Sequence, residues 1–263
     1  MVRRVVQEYA PMAVHTRDVD GGVRLLSLDR PPANAIDADL LGDLADVVVA
    51  AAKDDSVRAL VVTGSGRFFS GGLDLMAMAG GGATQMAAFG AADGIFHLWT
   101  IGKPTVAMVN GHAIAGGCIL ALACDFRVAA AGSYKIGLNE TAIGLALPTG
   151  AFEISRLAVP PAHARAVILE GALHEPAAAI ALGLVDEIVA SGELEAVAVE
   201  RARRLGAHPA AAYAANKFAW QRLAVERVRH EPDDLRQAII KAWTSEETRR
   251  VFAARIAAVK KKQ

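Results

Sequence analysis

Two pairs of adjacent glycines and one isolated carboxylate are the groups in this chain best suited to do chemistry together. The first pair lies in Arg67-Phe68-Phe69-Ser70-Gly71-Gly72-Leu73-Asp74-Leu75, after a strand-like run that ends at Thr63. The second lies in His112-Ala113-Ile114-Ala115-Gly116-Gly117-Cys118 and opens an apolar, helix-like segment. Glycine lets a backbone approach a ligand closely, and the first turn of a helix carries N–H groups without partners inside the helix. Two such N–H groups aimed at one point would hold an oxyanion. The same glycines also suit plain turns, the commonest use of this residue. The carboxylate is Glu140, in Ile136-Gly137-Leu138-Asn139-Glu140-Thr141-Ala142-Ile143-Gly144. Among apolar neighbours it is either a helix-start acid near the surface or a base whose pKa burial has raised.

Other chemistries find less support. Gly64-Ser65-Gly66-Arg67-Phe68-Phe69 begins like a dinucleotide loop but places Phe69 where the third glycine belongs, and no Gly-Lys-Ser/Thr element follows. Ser70 lacks a glycine two residues before it, so it is no nucleophile elbow. The seven histidines are scattered and the two cysteines, Cys118 and Cys124, form no Cys/His cluster, so no metal is expected. On a helix those cysteines stand about 9 Å apart, too far to pair with each other, which fits a reducing, cytoplasmic setting. Lys plus Arg total 28 against 28 Asp plus Glu, so no overall field draws in nucleic acid or an anionic membrane. Residues 104–124 carry no Asp, Glu, Lys or Arg over a length that could span a bilayer. Asn110-Gly111 and Gly116-Gly117 break that stretch into strand, loop and buried helix, and no membrane span is expected. At the start, Gln7, Glu8 and Pro11 interrupt any export signal.

The elements that must position these groups follow an α/β plan. Val23 to Leu28, Ala59 to Thr63 and Thr105 to Val109 read as apolar strands that run into glycine-containing loops and then helices. Their irregular spacing argues for strand-and-helix turns around a shared core rather than a solenoid of identical repeats. Asp37 suits the N-cap of a helix whose apolar face is Leu40, Leu41, Leu44, Val47 and Val48, with Asp39, Asp43 and Asp46 off that face. Beyond about Pro160 helices dominate, at 162–169, 176–182, 193–205, 209–229 and 246–259, with one short strand at 185–189. Ser245 caps the last helix, and Lys260-Lys261-Lys262 at its end suits the negative pole of the helix dipole.

These segments in this order resemble the crotonase superfamily, the enoyl-CoA hydratase/isomerase family. The likeness runs from Leu28-Asp29-Arg30-Pro31 and Asn34-Ala35, through Phe69-Ser70-Gly71-Gly72-Leu73-Asp74-Leu75, Asn110-Gly111 and Gly116-Gly117-Cys118, to Ala181-Leu182-Gly183-Leu184-Val185-Asp186. The resemblance implies a crotonase-like spiral of ββα units over residues 1–200 and a helical region over 201–263 that forms homotrimers or hexamers. It implies an acyl-CoA thioester as substrate, with coenzyme A arriving as part of it and no separate cofactor. It further implies that the N–H groups of Gly71 and Gly116 hold the thioester oxygen and that adenine packs near Leu73, Asp74 and Leu75. Arg30, Ala33 and Ile119 complete the implied substrate site, and His112, His97 and Trp99 are further candidates for the acyl pocket, each equally suited to a place in the ordinary core.

Departures from the family pattern bear on the reaction. Hydratases of this family carry a first Glu just after Gly-Gly-Cys and a second in the segment matched by Glu140; here the first position is Ile119. The run Gly137-Leu138-Asn139-Glu140-Thr141 with Pro148 is similar to the single-glutamate isomerases that convert 3-enoyl-CoA to 2-enoyl-CoA. One base suffices to move a proton from the alpha to the gamma carbon, whereas adding water commonly divides its work between two carboxylates. Hydration by Glu140 alone and non-catalytic acyl-CoA binding are the competing readings. RNA binding is disfavoured by the acidic outer side of the helix after Asp37. Met76 stands where the family often has a Lys after the adenine loop, leaving Arg30 and the terminal lysines as candidates for the coenzyme A phosphates.

Overall fold

A computed structural model describes residues 12–78 and 93–260. Met1–Ala10 and the lysines at 261 and 262 lie outside the described residues. Strands β1 (Val14–Val19), β2 (Val23–Leu28), β3 (Ala59–Gly64), β5 (Thr105–Val109), β7 (Phe126–Ala130) and β9 (Glu187–Val189) form one sheet in the order β1-β2-β3-β5-β7-β9. Only the β1–β2 pair is antiparallel. A second, parallel sheet orders β4 (Phe68–Ser70), β6 (His112–Ile114) and β8 (Ile136–Gly137). Each successive pair, β3–β4, β5–β6 and β7–β8, gives one strand to each sheet before the chain moves on. That is the expected spiral of ββα units.

Alternation along the strands divides the core in two. Leu26, Leu28, Leu60, Val62, Ala107, Val109 and Ala129 face one cluster, while Val23, Leu25, Ala59, Val61, Val106, Met108, Val128 and Ala130 face the other. Both faces of a largely parallel sheet are thus covered, which is why these strands read as continuous apolar runs. The first face takes helix α1 (Ala38–Lys53), capped as expected by Asp37, which accepts from Leu40 N at 2.9 Å. Asp43, expected on the solvent side of α1, is half-buried and accepts from Ala13 N at 2.6 Å, tying the helix to the chain ahead of β1. The second face takes α7 (Leu194–Gly206) through Leu194, Ala198, Val199 and Ala202. A boundary at residue 200 would cut this helix in half, so the sheet-covering unit extends to Gly206.

Short helices fill the rest: α2 (Gly94–Thr100), α3 (Gly116–Leu122), α4 (Thr149–Ala158), α5 (Pro161–Leu169) and α6 (Pro176–Ala181). The chain ends in α8 (Ala210–Arg229), α9 (Asp233–Trp243) and α10 (Glu246–Lys260). Ser245 Oγ accepts from Thr248 N at 3.1 Å, as its capping pattern predicts. Helices α2, α4 and α9 go beyond the sequence expectation. The last was legible, because Leu235, Ile239 and Trp243 recur every four residues. A third cluster, with Ile143, Leu145, Ile239, Trp243 and Phe252, packs these C-terminal helices against the segment that follows Glu140. No described helix is long and apolar enough to cross a membrane.

Candidate active site

The two glycine loops meet back to back. Gly72 has φ +82°, and a Cβ placed on it would lie 2.6 Å from Ile114 O and 3.1 Å from Gly116 N. A Cβ on Gly117 would lie 2.2 Å from Ser70 O. Each loop therefore fits only because the other carries glycine at the crossing, and contact distances that short exclude any side chain. The first pair follows β4 rather than β3 directly, and leads into helical backbone at Leu75–Ala77. The second pair opens α3 as expected. Just ahead of α3, Ala115 takes φ +52°, a strained conformation for a residue with a Cβ. Its N–H donates to Gly137 O at 2.9 Å, which helps to hold the turn that orients Gly116.

Backbone bonding identifies which N–H groups remain for a ligand. Gly71 N donates to Ala33 O at 2.8 Å, so the expectation that Gly71 serves as an oxyanion donor is corrected. The available group is two residues on. Ile36 bridges to Leu73: Ile36 N donates to Gly72 O at 2.8 Å and Asp74 N to Ile36 O at 2.9 Å. This bridge turns the Leu73 N–H to the opposite side of its strand, where it has no acceptor among the described residues. Gly116 N, at the first position of α3, likewise has none there. The two groups are neighbours, since a Cβ on Gly116 would stand 3.6 Å from Leu73 N.

A pocket opens beside this pair. Its lining includes Leu73, Gly116, Ile119, Glu140, Phe96 and Trp243, with further apolar contributions from α1 and α4. Glu140 is 5 % exposed, and its Oε2 is buried without a hydrogen-bond partner. Burial pushes its carboxyl up to about 7, against a smaller opposing effect of its own backbone N–H. The buried-base alternative for Glu140 is thus the one the structure supports, and Ile119, 6 % exposed, lies in the same lining.

The remaining expected residues fall on either side of this pocket. Arg30 Nη2 bonds Asp37 Oδ2 at 2.7 Å and Asp74 Oδ2 at 2.8 Å, a clamp that fixes the Gly71–Leu75 loop and leaves the guanidinium engaged with carboxylates. Burial works to raise Asp74, but the Ala77 N–H, the Arg30 guanidinium and the Met76 N–H together hold it below the usual range. Ala33 contributes its carbonyl to Gly71, and nothing is described of the Leu75 side chain. His112 is corrected: it is not in the described lining, its Nδ1 accepts from Lys135 N at 3.1 Å, and its ring packs 4.8 Å from Phe68. Burial, then Arg67 and Lys135, lower its pKa, which favours the neutral ring. His97 and Trp99 are also absent from the described lining; α2 turns their neighbours Ile95 and Phe96 into the pocket instead.

Sequence reasoning missed Asp93 and Trp243. Asp93 caps α2, accepting from Phe96 N at 2.7 Å, and lines the pocket as a second carboxylate. Trp243 comes from α9, and its Nε1 donates to Ala146 O at 2.6 Å.

Comparison with known proteins identifies the family. The enoyl-CoA hydratase/isomerase family model matches residues 18–262. A carnitinyl-CoA dehydratase of Escherichia coli K12 is 32% identical over 229 residues, covering 86% of this chain and 87% of that protein. The apo structure of an enoyl-CoA isomerase of Mycobacterium tuberculosis aligns with TM-score 0.76 and 31% identity, over 89% of this chain and 99% of that one. Human mitochondrial delta3-delta2-enoyl-CoA isomerase shares the fold, with TM-score 0.83 at 24% identity over 95% and 99% of the two chains. A spiral of paired strands, a glycine-loop crossing beside a buried glutamate and a match over nearly the whole chain together make this protein a member of the enoyl-CoA hydratase/isomerase family of the crotonase superfamily.

Proposed function

We propose that the protein moves the double bond of a 3-enoyl-CoA to give the 2-enoyl-CoA, with Glu140 as the single proton shuttle. The ionised Glu140 takes a proton from the alpha carbon, and the electron pair flows into the thioester to form a dienolate. The N–H groups of Leu73 and Gly116 hold the oxygen while charge resides on it. Protonated Glu140 then delivers the proton to the gamma carbon, and the thioester carbonyl re-forms with the double bond between alpha and beta carbons. Each N–H donor is worth about 2.7 to 4 kcal/mol in such a site, and a well-placed base contributes about 100 to 10,000-fold.

The observation that carries this reading is the buried, unpaired Glu140 oxygen in a pocket where Ile119 stands in place of a second glutamate. A carboxyl near 7 suits a group that must both take and return a proton at neutral pH. An isoleucine can neither hold nor activate water. Hydration or dehydration of an acyl-CoA is the second reading, favoured by the dehydratase relatives and by the Asp93 carboxylate in the lining. Assaying the protein on a 3-enoyl-CoA and on a 2-enoyl-CoA separates the two. Isomerisation well above hydration is expected, and rapid hydration with the 3-enoyl-CoA untouched would install the second reading.

The protein as proposed acts in the cytoplasm on fatty acyl-CoA, needs no separate cofactor and assembles as a trimer or hexamer. Phe218, Trp220 and Leu223, all more than half exposed on α8, support self-association.

A further inference from the structure

We propose that Leu147 sets the acyl-chain length this protein accepts, as a partition past which a long hydrocarbon tail runs into a groove between α4 and α9. The inference rests on acyl-CoA being the substrate. The described pocket beside Glu140 is small, about 70 Å³, while a second cavity beyond it measures about 410 Å³. Leu147 is the one residue that the two described linings share. Next to it α4 divides its residues, turning Ala151 and Ile154 to the pocket and Phe152 and Glu153 to the groove. Successive turns of α9 do the same, with Trp243 on the pocket and Ile239 and Leu235 on the groove.

Each polar side chain in the described groove lining already has a partner within the protein. Thr149 Oγ1 donates to Glu231, Glu153 is bonded by Arg156 at 2.5 Å and by Arg227 at 3.4 Å, and His230 Nδ1 stands 3.0 Å from Glu226 O. What remains for an occupant is hydrocarbon: Leu147, Phe152, Pro232, Leu235 and Ile239. Phe152 is 38 % exposed and Leu235 44 %, large apolar side chains left partly in water. Such a surface holds an alkyl chain better than a charged or hydrogen-bonding group, which would find no free partner there.

The partition suits passage. Leu147 is half-buried, lies in irregular backbone just ahead of α4 and has no polar atom in its side chain. Turning it between staggered rotamers breaks no hydrogen bond, and a tail that takes its place keeps the wall apolar. A tail leaving the pocket at Leu147 meets Ile239, Phe152 and Leu235 rather than water. Each methylene buried there tightens binding about fourfold.

The test measures the affinities of butanoyl-CoA and dodecanoyl-CoA by calorimetry, below the concentration at which the longer ester forms micelles. The intact protein is expected to bind dodecanoyl-CoA at least about hundredfold more tightly, the effect of a few methylenes in the groove. Leu147→Trp fills the passage, and the paired change Phe152→Ser with Leu235→Ser strips the groove. Each should cut the ratio at least about tenfold in a protein whose thermal melt shows cooperative unfolding. The surface pair keeps the test decisive should Leu147→Trp not fold. A smaller ratio in the unaltered protein overturns the inference alone, and so does a ratio that persists in either folded variant. A change of association state in the surface pair, read by sedimentation, would assign the groove to a second copy of the chain and overturn the inference as well. Failure to bind either ester overturns the acyl-CoA reading beneath it.

Discussion

The crossing of the glycine loops and the wall that carries Glu140 stand side by side and are built on opposite terms. At the crossing, polar groups are tied and space is used up: Gly71 N bonds Ala33, Gly72 N bonds Ser70 Oγ at 3.2 Å, and Gly117 leaves no room for a methyl group. On the Glu140 wall a buried carboxylate oxygen has no partner and its carboxyl is held near 7. The rigid crossing keeps two N–H groups in place, while the uncompensated carboxylate retains a proton affinity that bonding would remove. Local strain and unmet polar groups persist only where surrounding contacts over-determine them.

Breaking the rigid region should have the largest effect. Gly117→Ala sets a Cβ against the Ser70 carbonyl, and neither backbone can retreat, so a loss of at least about 4 kcal/mol or failure to fold is expected by chemical denaturation. A variant as stable as the parent would show that the loops do not interlock.

The Glu140 wall should respond with the opposite sign. Its carboxyl lies near 7 in the folded chain against a reference of 4.5, so the folded state holds the proton more tightly. This favours folding at low pH, and the benefit is lost as pH rises from about 4.5 through about 7. Glu140→Gln, neutral throughout, should therefore gain stability over the parent across that window, by on the order of 3 kcal/mol at about pH 8. A pH-independent difference between the two proteins would remove the buried-charge explanation.

Loading a further charge onto that wall comes next. Ile119→Glu is expected to cost about 2 kcal/mol through burial of a polar group and to raise 2-enoyl-CoA hydration several-fold relative to isomerisation, measured on both substrates. No gain in that ratio in a folded variant would separate position 119 from the choice of reaction.

The smallest effect is expected at Gly71. Its φ is not positive, an added Cβ meets Ala33 Cβ at 3.3 Å, and its N–H is engaged elsewhere. Gly71→Ala should keep turnover within about threefold and stability within about 1 kcal/mol. A hundredfold loss of turnover would return Gly71 to the oxyanion site.

What could be read from sequence divides along the same line. Strands β2, β3 and β5, the Asp37 cap and the α3 start were legible because apolar runs and capping residues are local signals. Gly116, Glu140 and Ile119 were placed by motif, and the structure brings them into one pocket. The choice of Leu73 over Gly71 was not legible, because it depends on which side of its strand each N–H faces after the Ile36 bridge forms. Asp93 and Trp243 carry no local signal of a site, and Trp243 lies more than a hundred residues from Glu140 in the chain; only tertiary packing brings them to one pocket. His112 shows the reverse error: a histidine beside a motif proved to be packed on Phe68 and bonded to the backbone.

The most direct measurement compares isomerisation of a 3-enoyl-CoA by the parent protein and by Glu140→Gln, with acyl-CoA affinity measured in both. A fall in turnover of at least about 100-fold with binding retained is the predicted result. Near-normal turnover in a folded Glu140→Gln protein would contradict the assignment of Glu140 as the proton shuttle.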